Sequence, residues 1–220
     1  MEFAGLLAAL RRINHWYGGN ALTLRYLRRF ADLLPRRPLR ILDVGTGSAD
    51  VPVAIAAWAR GRNLSVRIVA LDVNPDILAE ARKIVRGAPE ITLVCANALA
   101  LPFADGSVDV VLNALTLHHF SFDRAAALLR EIDRVAGGAF IVSDVMRSWP
   151  AYLGALADAW LIERNRLAKH DTPVSVLRSF TWPEFHDLVR AARLAGVVIR
   201  SNRLLRAVIV RWPRGSGFDH

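Results

Sequence analysis

The feature that most constrains this chain is a short glycine-rich turn between an apolar run and a helical pattern. Residues 41–50 read ILDVGTGSAD, and a helical pattern follows over residues 51–60. A strand, a tight turn and a helix in this order are typical of a nucleotide site, because glycine adopts positive φ and lets a ligand approach the backbone closely. The turn therefore predicts a nucleotide-binding unit in which Gly45 and Gly47 are the close-approach positions.

The charges around this turn indicate a cationic ligand. Asp50 stands where a dinucleotide-binding G-x-G-x-x-G fingerprint has its third glycine, close to the expected place of a pyrophosphate. Asp43 directly precedes the turn, so that two carboxylates flank it. This pattern disfavours an NAD-dependent oxidoreductase and suits a ligand with positive charge, such as the sulfonium and ammonium groups of S-adenosylmethionine (SAM).

Apolar runs and helical patterns alternate along most of the chain. Strands are predicted at 40–44, 67–72, 91–96, 108–114 and 139–144, and helices at 51–60, 75–86 and 123–134. Continuous Val, Ile and Leu strands separated by helices favour a buried, mostly parallel sheet.

The pattern changes after residue 144. One long helical stretch is predicted at 149–169 and irregular structure at 175–180, and two closing strands that pair antiparallel are predicted at 197–201 and 206–212. Between them, Thr181 and Glu184 form the sequence signature of a capping box, which predicts the start of another helix.

These segments together resemble the class I SAM-dependent methyltransferases. The letters DVGTGSAD at residues 43–50 are similar to that family's motif D/E-x-G-x-G-x-G, with Ala49 at its last glycine, and closer still to the ubiquinone/menaquinone C-methyltransferases. The letters CANALALPF at 95–103 and DGSVDVV at 105–111 are similar to two further segments of the family, G-D-A-x-x-L-P-F and D-x-S-F-D-x-V. The resemblance covers about residues 39–212.

The resemblance implies an α/β fold, in which a three-layer, Rossmann-like sheet of seven strands has the order 3-2-1-4-5-7-6. Residues 1–220 are then a single methyltransferase domain. Its parts are an N-terminal helical cap (1–38), a SAM-binding core (39–145), a helical lid inserted after strand five (146–180), and a C-terminal helix and strand pair (181–212).

The resemblance also implies SAM as the cofactor and a set of residues that hold it. Asp72, at the end of the second strand, offers two acceptor oxygens to the ribose hydroxyls. Asn97 stands where the family has an acid that contacts the adenine amino group, and Tyr17 covers the methionine end or else packs between helices. The expected cofactor-binding residues are Asp43, Gly45, Thr46, Gly47, Asp50, Asp72, Val73, Asn97, Ala98, Asn113 and Tyr17. No metal ligands are predicted.

Two histidines are candidates for a general base. His119 follows strand four, where the family places a segment beside the sulfonium, and the ordinary pKa of histidine is about 6.5. Its neighbour His118 is expected to shape the pocket. His170, next to Asp171, is the second candidate, with a solvated turn as the alternative interpretation.

Composition bounds the location and the partners. No window reaches the roughly 18 unbroken apolar residues of a membrane span, and the first residues become charged too early for a signal peptide, so a cytoplasmic location is expected. A single cysteine, Cys95, excludes an internal disulfide. The net charge of +9 comes mostly from dispersed arginines and fits an anionic membrane surface or nucleic acid, or else a compositional bias.

We therefore expect a SAM-dependent methyltransferase that acts on oxygen or carbon of an apolar or aromatic small molecule: a phenol, a quinone precursor or a polyketide. The alternatives are an RNA or nucleic-acid methyltransferase and a non-catalytic SAM-binding-fold protein. Residues 113–116 read NALT and lack the D/N-P-P-Y/F motif of amino methylation, which argues against nucleic acid as the acceptor. Ala49 and Asn97 keep the non-catalytic alternative open. The positive charge also allows peripheral membrane contact, and the sequence predicts no particular oligomeric state.

Overall fold

The computed structural model describes residues 11–12, 19–31, 38–161, 165–202 and 205–212. The strands are Leu39–Val44 (β1), Val66–Asp72 (β2), Ile91–Cys95 (β3), Val108–Ala114 (β4), Ala136–Val145 (β5), Val197–Asn202 (β6) and Arg206–Arg211 (β7). The helices are Gly19–Ala31 (α1), Asp50–Arg60 (α2), Pro75–Ile84 (α3), Phe122–Val135 (α4), Trp149–Leu161 (α5), Arg166–Arg178 (α6) and Trp182–Ala191 (α7), and Leu117–His119 form a 3-10 turn.

The seven strands form one sheet of order β3-β2-β1-β4-β5-β7-β6, which confirms the predicted α/β fold and strand order. β1 to β5 are parallel, and β7 runs antiparallel to both β5 and β6. Helices that connect parallel strands cover both faces of such a sheet, and its central strands are therefore mainly apolar.

Two apolar clusters, one on each face of the sheet, make the outer layers. One cluster contains buried side chains of α4 and α7, including Leu128 and Phe185. The other contains buried side chains of α1 and α2, including Phe30 and Ile55. The helices therefore form one apolar core on each face of the sheet. The carboxyl edge of β1, β2 and β4 is the usual place for a ligand site in such a fold.

The capping-box prediction is confirmed at the start of α7. The Glu184 carboxylate accepts a hydrogen bond from the backbone nitrogen of Thr181 at 2.7 Å, and the reciprocal bond of the motif is present. Two of the otherwise unpaired backbone donors at this helix start are thereby satisfied.

The prediction of one long helix over 149–169 is wrong. The segment forms two helices, α5 and α6, and Asn165 caps the second by accepting a hydrogen bond from the backbone nitrogen of Ala168 at 3.1 Å. An asparagine side chain that binds the backbone in this way favours a helix start over a continuing helix. Irregular structure was also predicted at 175–180, whereas α6 extends through Arg178 and contains Pro173.

Among the described helices, none is long and apolar enough to cross a membrane. Residues 13–18, which include Tyr17, lie outside the described residues. The subdivision of the chain into cap, core, lid and C-terminal pair stays a prediction.

A β-bulge between β4 and β5 depends on two adjacent glycines. Val108 pairs with Ala136 but Val110 pairs with Ala139, so β5 carries one residue more than β4 over this interval. A Cβ at Gly138 would lie 2.6 Å from the carbonyl oxygen of Asp109. Backbone cannot yield as a flexible side chain does, so the bulge admits only glycine at this position.

We predict that Gly138→Ala lowers the free energy of unfolding by roughly 2 kcal/mol or more, because overpacking against the backbone forces the two strands apart. Gly61→Ala is the matched control: its φ is −63° and its added Cβ would have only ordinary contacts, the closest at 3.6 Å. Urea unfolding of both variants checks this. Equal stability of the two variants would contradict the proposed role of the bulge.

Candidate cofactor and acceptor site

The glycine-rich turn after β1 is held against the end of β2 by backbone hydrogen bonds. The nitrogens of Gly45 and Thr46 donate to the carbonyl oxygen of Leu71 at 2.8 and 2.9 Å. The nitrogen of Gly47 donates to Asp72 Oδ2 at 3.0 Å. The turn therefore reaches from the end of one strand to the end of its neighbour, as the nucleotide-site prediction requires.

The two glycines of the turn have different roles. Gly45 has φ of +71°, and a Cβ there would lie 2.6 Å from Thr116 Oγ1, so packing against the segment after β4 requires glycine. Gly47 has φ of +55°, and no atom would lie within 4 Å of its Cβ. The open space beside the Gly47 backbone fits the close approach of a ligand, and a nucleoside cofactor fits this part of the site.

Asp72 is fixed with both carboxylate oxygens in use. Oδ2 accepts from Gly47, and Oδ1 accepts from the backbone nitrogen of Asn74 at 3.0 Å. Each carboxylate oxygen can accept more than one hydrogen bond, so Asp72 retains capacity for ribose hydroxyls. The next residue, Val73, is 66% exposed and offers an apolar surface at the same strand end.

Two of the other expected cofactor residues have their amide groups partly engaged within the protein. Asn97 is exposed, and its Oδ1 accepts from the backbone nitrogen of Leu99 at 3.0 Å, next to buried Ala98. Asn113 is buried at the end of β4, where its Nδ2 donates to the carbonyl oxygen of Val44 at 2.8 Å. These geometries keep Asn97 at the surface and tie Asn113 to β1, so their contact with a cofactor stays a prediction.

Asp43 is buried at the end of β1, beneath the turn. Burial raises the pKa of its carboxyl from 3.8 to about 7, and the charges of Asp50 and Asp72 add to that increase. A carboxylate that is costly to ionise alone is stabilised by a nearby cation. The three acids therefore give the turn the negative electrostatic character expected for a sulfonium or ammonium group.

A cavity of about 640 Å³ adjoins the turn, and its surface is mainly apolar. Its walls come from the turn, the 3-10 segment, the two helices α5 and α6, the segment around α1, and the start of β7. The lining side chains that the argument uses are Asp43, Gly47, His118, His119, Ala155 and Arg206. The volume lies within the usual range for small-molecule sites.

One of the cavity-lining residues, His118, belongs to a buried histidine–aspartate pair. His118 Nδ1 lies 2.7 Å from Asp144 Oδ1, and the His118 backbone nitrogen donates to Asp144 Oδ2 at 3.1 Å. Burial lowers the pKa of His118, but the charge and hydrogen bond of Asp144 outweigh it and hold that pKa above its ordinary value. The same interactions hold the pKa of the Asp144 carboxyl below its usual range against its own burial.

The two histidines predicted as general bases, His119 and His170, do not share the surroundings of His118. The rings of His118 and His119 have centroids 4.2 Å apart, and burial together with the His118 charge lowers the pKa of His119. His119 does line the cavity. His170 is exposed on α6, in a helix rather than in a turn, and only its neighbour Asp171 belongs to the cavity lining. Their assignment as catalytic residues stays a prediction.

Sequence reasoning missed Asp144 and Arg206. Arg206 is buried at the start of β7, where it faces the cavity, and burial lowers its pKa while the Asp144 charge raises it. A signal for Asp144 was present, since an acid that ends a predicted strand beside β4 lies at the same sheet edge as the segment containing His118. Among the described residues, no group of three His, Cys, Asp or Glu side chains is placed to hold a metal ion.

Comparisons with known proteins agree with this geometry. A family model described as "Methyltransferase domain" matches residues 42–142. A demethylmenaquinone methyltransferase of Thermus thermophilus is 38% identical over 125 residues, which cover 54% of this chain and 53% of that protein. One of Clavibacter sepedonicus is 29% identical over 188 residues, covering 80% of this chain and 72% of that protein. The chain spans about half the length of the Thermus relative.

Solved structures share the fold. The crystal structure of a SAM-dependent methyltransferase from Aquifex aeolicus superposes with a TM-score of 0.58 at 18% identity, over 84% of this chain and 86% of that one.

We predict that Asp43→Asn removes a pH-dependent loss of stability from the cofactor-free protein. Because the pKa of Asp43 is raised to about 7, its contribution favours folding at low pH and is lost as pH rises from about 4 through about 7. The asparagine variant should therefore gain stability relative to the parent between pH 5 and pH 8, by about 2.5 kcal/mol.

Urea unfolding at the two pH values measures this gain. Asp123→Asn, at an exposed position in the first turn of α4, is the matched control and should show no comparable change. The same pH dependence in the Asp43 and Asp123 variants would contradict the assignment.

Proposed function

Because the chain belongs to the class I SAM-dependent methyltransferases through its domain at residues 42–142, we propose that it transfers the methyl group of SAM to a hydroxylated, apolar or aromatic small molecule. One observation carries this proposal. The glycine-rich turn and His118, the histidine paired with Asp144, lie on the walls of the same mainly apolar cavity. A cofactor site and a proton acceptor therefore face one space of the size that a small aromatic acceptor needs.

The residues of the turn bind the cofactor in this proposal. The Gly47 backbone admits it, Asp72 accepts hydrogen bonds from the ribose, and Asp43 with Asp50 favours its positive charge. When bound, SAM supplies an electrophilic methyl group on a sulfonium centre, so that no protein nucleophile is needed. What remains for the protein is to position the acceptor and to remove its proton.

His118 is the proton acceptor that the geometry favours. Its Nδ1 lies 2.7 Å from an Asp144 oxygen, and since the ionised carboxylate can only accept, Nδ1 carries the proton. The other ring nitrogen, Nε2, is then the basic one and takes the hydroxyl proton of the acceptor, while Asp144 stabilises the resulting imidazolium. Loss of that proton activates the oxygen of a phenol and its ring carbons. In C-methylation the methylated ring carbon must then release its own proton to restore aromaticity while the oxygen is reprotonated, so the same initial base suits either outcome.

The relatives favour a quinone precursor among the possible acceptors. The Thermus and Clavibacter proteins are both named demethylmenaquinone methyltransferases. A reduced quinone is an apolar, hydroxylated ring system, which suits a mainly apolar cavity with a histidine base. The nucleic-acid alternative has no comparable support, because neither of these two relatives is named for a nucleic-acid acceptor.

The proposal is tested by methyl transfer from radiolabelled SAM to 1,4-naphthohydroquinone, catechol and a simple phenol. We expect labelled product with at least one of them. Saturating SAM, at 100 times its dissociation constant, should stabilise the protein by about 2.7 kcal/mol, which corresponds to a rise of roughly 5–10 °C in Tm.

Gly47→Val is the matched variant for this test. Its side chain enters open space and should remove the SAM-dependent rise in Tm, while its strained backbone costs roughly 1 kcal/mol of stability. Absence of any SAM effect on the parent protein would contradict the proposal. A SAM effect without methyl transfer to any acceptor would favour the non-catalytic alternative.

We predict that His118→Gln and Asp144→Asn each lower kcat by roughly 100-fold or more, since general-base catalysis is removed or misaligned. The dissociation constant for SAM should stay nearly unchanged. Because the pKa of His118 is raised and the base must be deprotonated, activity should rise with pH through that pKa. Asp144→Asn removes the charge that raises the pKa of His118, so the increase in activity should move to lower pH.

Steady-state kinetics over a pH series measure both effects. His186→Gln, at an exposed position on α7, is the control and should leave kcat and its pH profile unchanged. If His119→Gln lost activity while His118→Gln kept it, the base would be His119 instead.

A further inference from the structure

Helix α5 is apolar around its whole circumference, although one of its faces lies in solvent. Its sequence is WPAYLGALADAWL, and its one charged side chain, Asp158, is only 4% exposed. The small residues Ala151, Gly154 and Ala155 line the cavity. A helix that is apolar on all sides is normally buried on all sides, so we expect the outer face of α5 to contact a further apolar surface.

The outer face carries a concentrated apolar stripe. Trp149 is 77% exposed, Leu153 is 59% exposed and Trp160 is 82% exposed. At 100° per residue these three side chains point within about 40° of one another. Single exposed apolar residues are ordinary on protein surfaces, but two tryptophans and a leucine in line on one helix form a contiguous patch. Tryptophan is also the side chain that prefers the interface between lipid headgroups and acyl chains.

Positive charge lies on another side of the same cavity. Helix α1 contains no acidic residue, and its arginines Arg25, Arg28 and Arg29 are exposed. Arg25 contributes to the cavity wall, as does α5. The cavity is therefore flanked by an exposed apolar stripe and by exposed guanidinium groups, the combination with which peripheral proteins bind anionic lipid.

The charge of the chain discriminates between the possible occupants of the stripe. A second copy would bring its own net charge of +9 against this one, and like charges oppose that association. An anionic bilayer offers phosphate groups to the arginines and an apolar interior to the tryptophans at the same time. Of the two occupants, only the anionic bilayer would bind both the arginines and the tryptophans.

We propose that α5 docks on the surface of an anionic phospholipid membrane, with Trp149, Leu153 and Trp160 in the interfacial layer and the α1 arginines against lipid phosphates. An apolar acceptor would then pass from the bilayer into the cavity that α5 borders; this consequence rests on the proposed function, whereas the docking does not. Membrane binding is therefore measured without SAM and without an acceptor, so its failure and the failure of methyl transfer are separate results.

The test is co-sedimentation of the full chain with vesicles of phosphatidylcholine alone and of equimolar phosphatidylcholine and phosphatidylglycerol. We expect binding to the anionic vesicles, with a blue shift of tryptophan emission, and little binding to the neutral ones. Raised salt should weaken the binding because it screens the arginines.

The double variant Trp149→Ser/Trp160→Ser should lower partitioning into the anionic vesicles by roughly tenfold, because the interfacial apolar area is lost. Its Tm should stay near that of the parent, since both side chains are exposed. Leu64→Ser is the matched control and should bind as the parent does: Leu64 is also an exposed apolar residue, but it precedes β2 at the opposite edge of the sheet. Arg25→Ser/Arg28→Ser should weaken the binding and reduce its salt dependence.

Three outcomes would overturn the proposal. The first is no binding to anionic vesicles at low salt, and the second is equal binding of the parent and the double tryptophan variant. The third is a dimer of the parent in solution that the double variant does not form, because the stripe would then be covered by a second copy.

Discussion

The hydrogen bond from the Gly47 backbone nitrogen to Asp72 is the interaction on which the rest of the site depends. It joins the turn after β1 to the end of β2, so the two strand ends act as one rigid edge. The carboxylate that accepts this bond is thereby oriented before any ligand arrives, and the open space beside Gly47 is kept at a fixed distance from it. A preformed edge of this kind lowers the ordering cost of binding a cofactor. An ion pair of 2.8 Å between Arg40 and Asp109 also joins β1 to β4.

The fold was predictable because its determinants are local or periodic. Apolar runs of strand length, the glycine-rich turn and the Thr181 capping box each appear as patterns within a few residues, and the resemblance supplied the strand order. The break between α5 and α6 was missed because helix-forming residues continue across it, where the sequence at 161–169 reads LIERNRLAK. The single signal, Asn165, is a side chain that caps a helix start only when the backbone already turns there. Helical periodicity alone does not distinguish one long helix from two successive ones.

The residues of the candidate site likewise divide into those with a local sequence signal and those that only tertiary packing brings together. Gly45, Gly47 and Asp72 were found from sequence because their roles follow from backbone conformation and from the position of a strand end. The His118–Asp144 pair was not found, since its partners are 26 residues apart and meet only because β4 and β5 are neighbours. Sequence reasoning favoured His119 for its place in a motif, whereas the direction of each ring is set by packing. Side-chain direction at the edge of a sheet is tertiary information, and a linear pattern does not contain it.

Ala49 gives the departure from the family motif a physical meaning. This residue has φ of 60° and is fully buried at the start of α2. The left-handed conformation costs a non-glycine residue about 1–2 kcal/mol, while burial of its methyl group returns about 0.8 kcal/mol. Alanine therefore carries a net cost of about 0.2–1.2 kcal/mol at this position, which is small beside the stability of a folded domain. The missing third glycine is thus a small local cost in stability, and the turn keeps its left-handed conformation with alanine in that place.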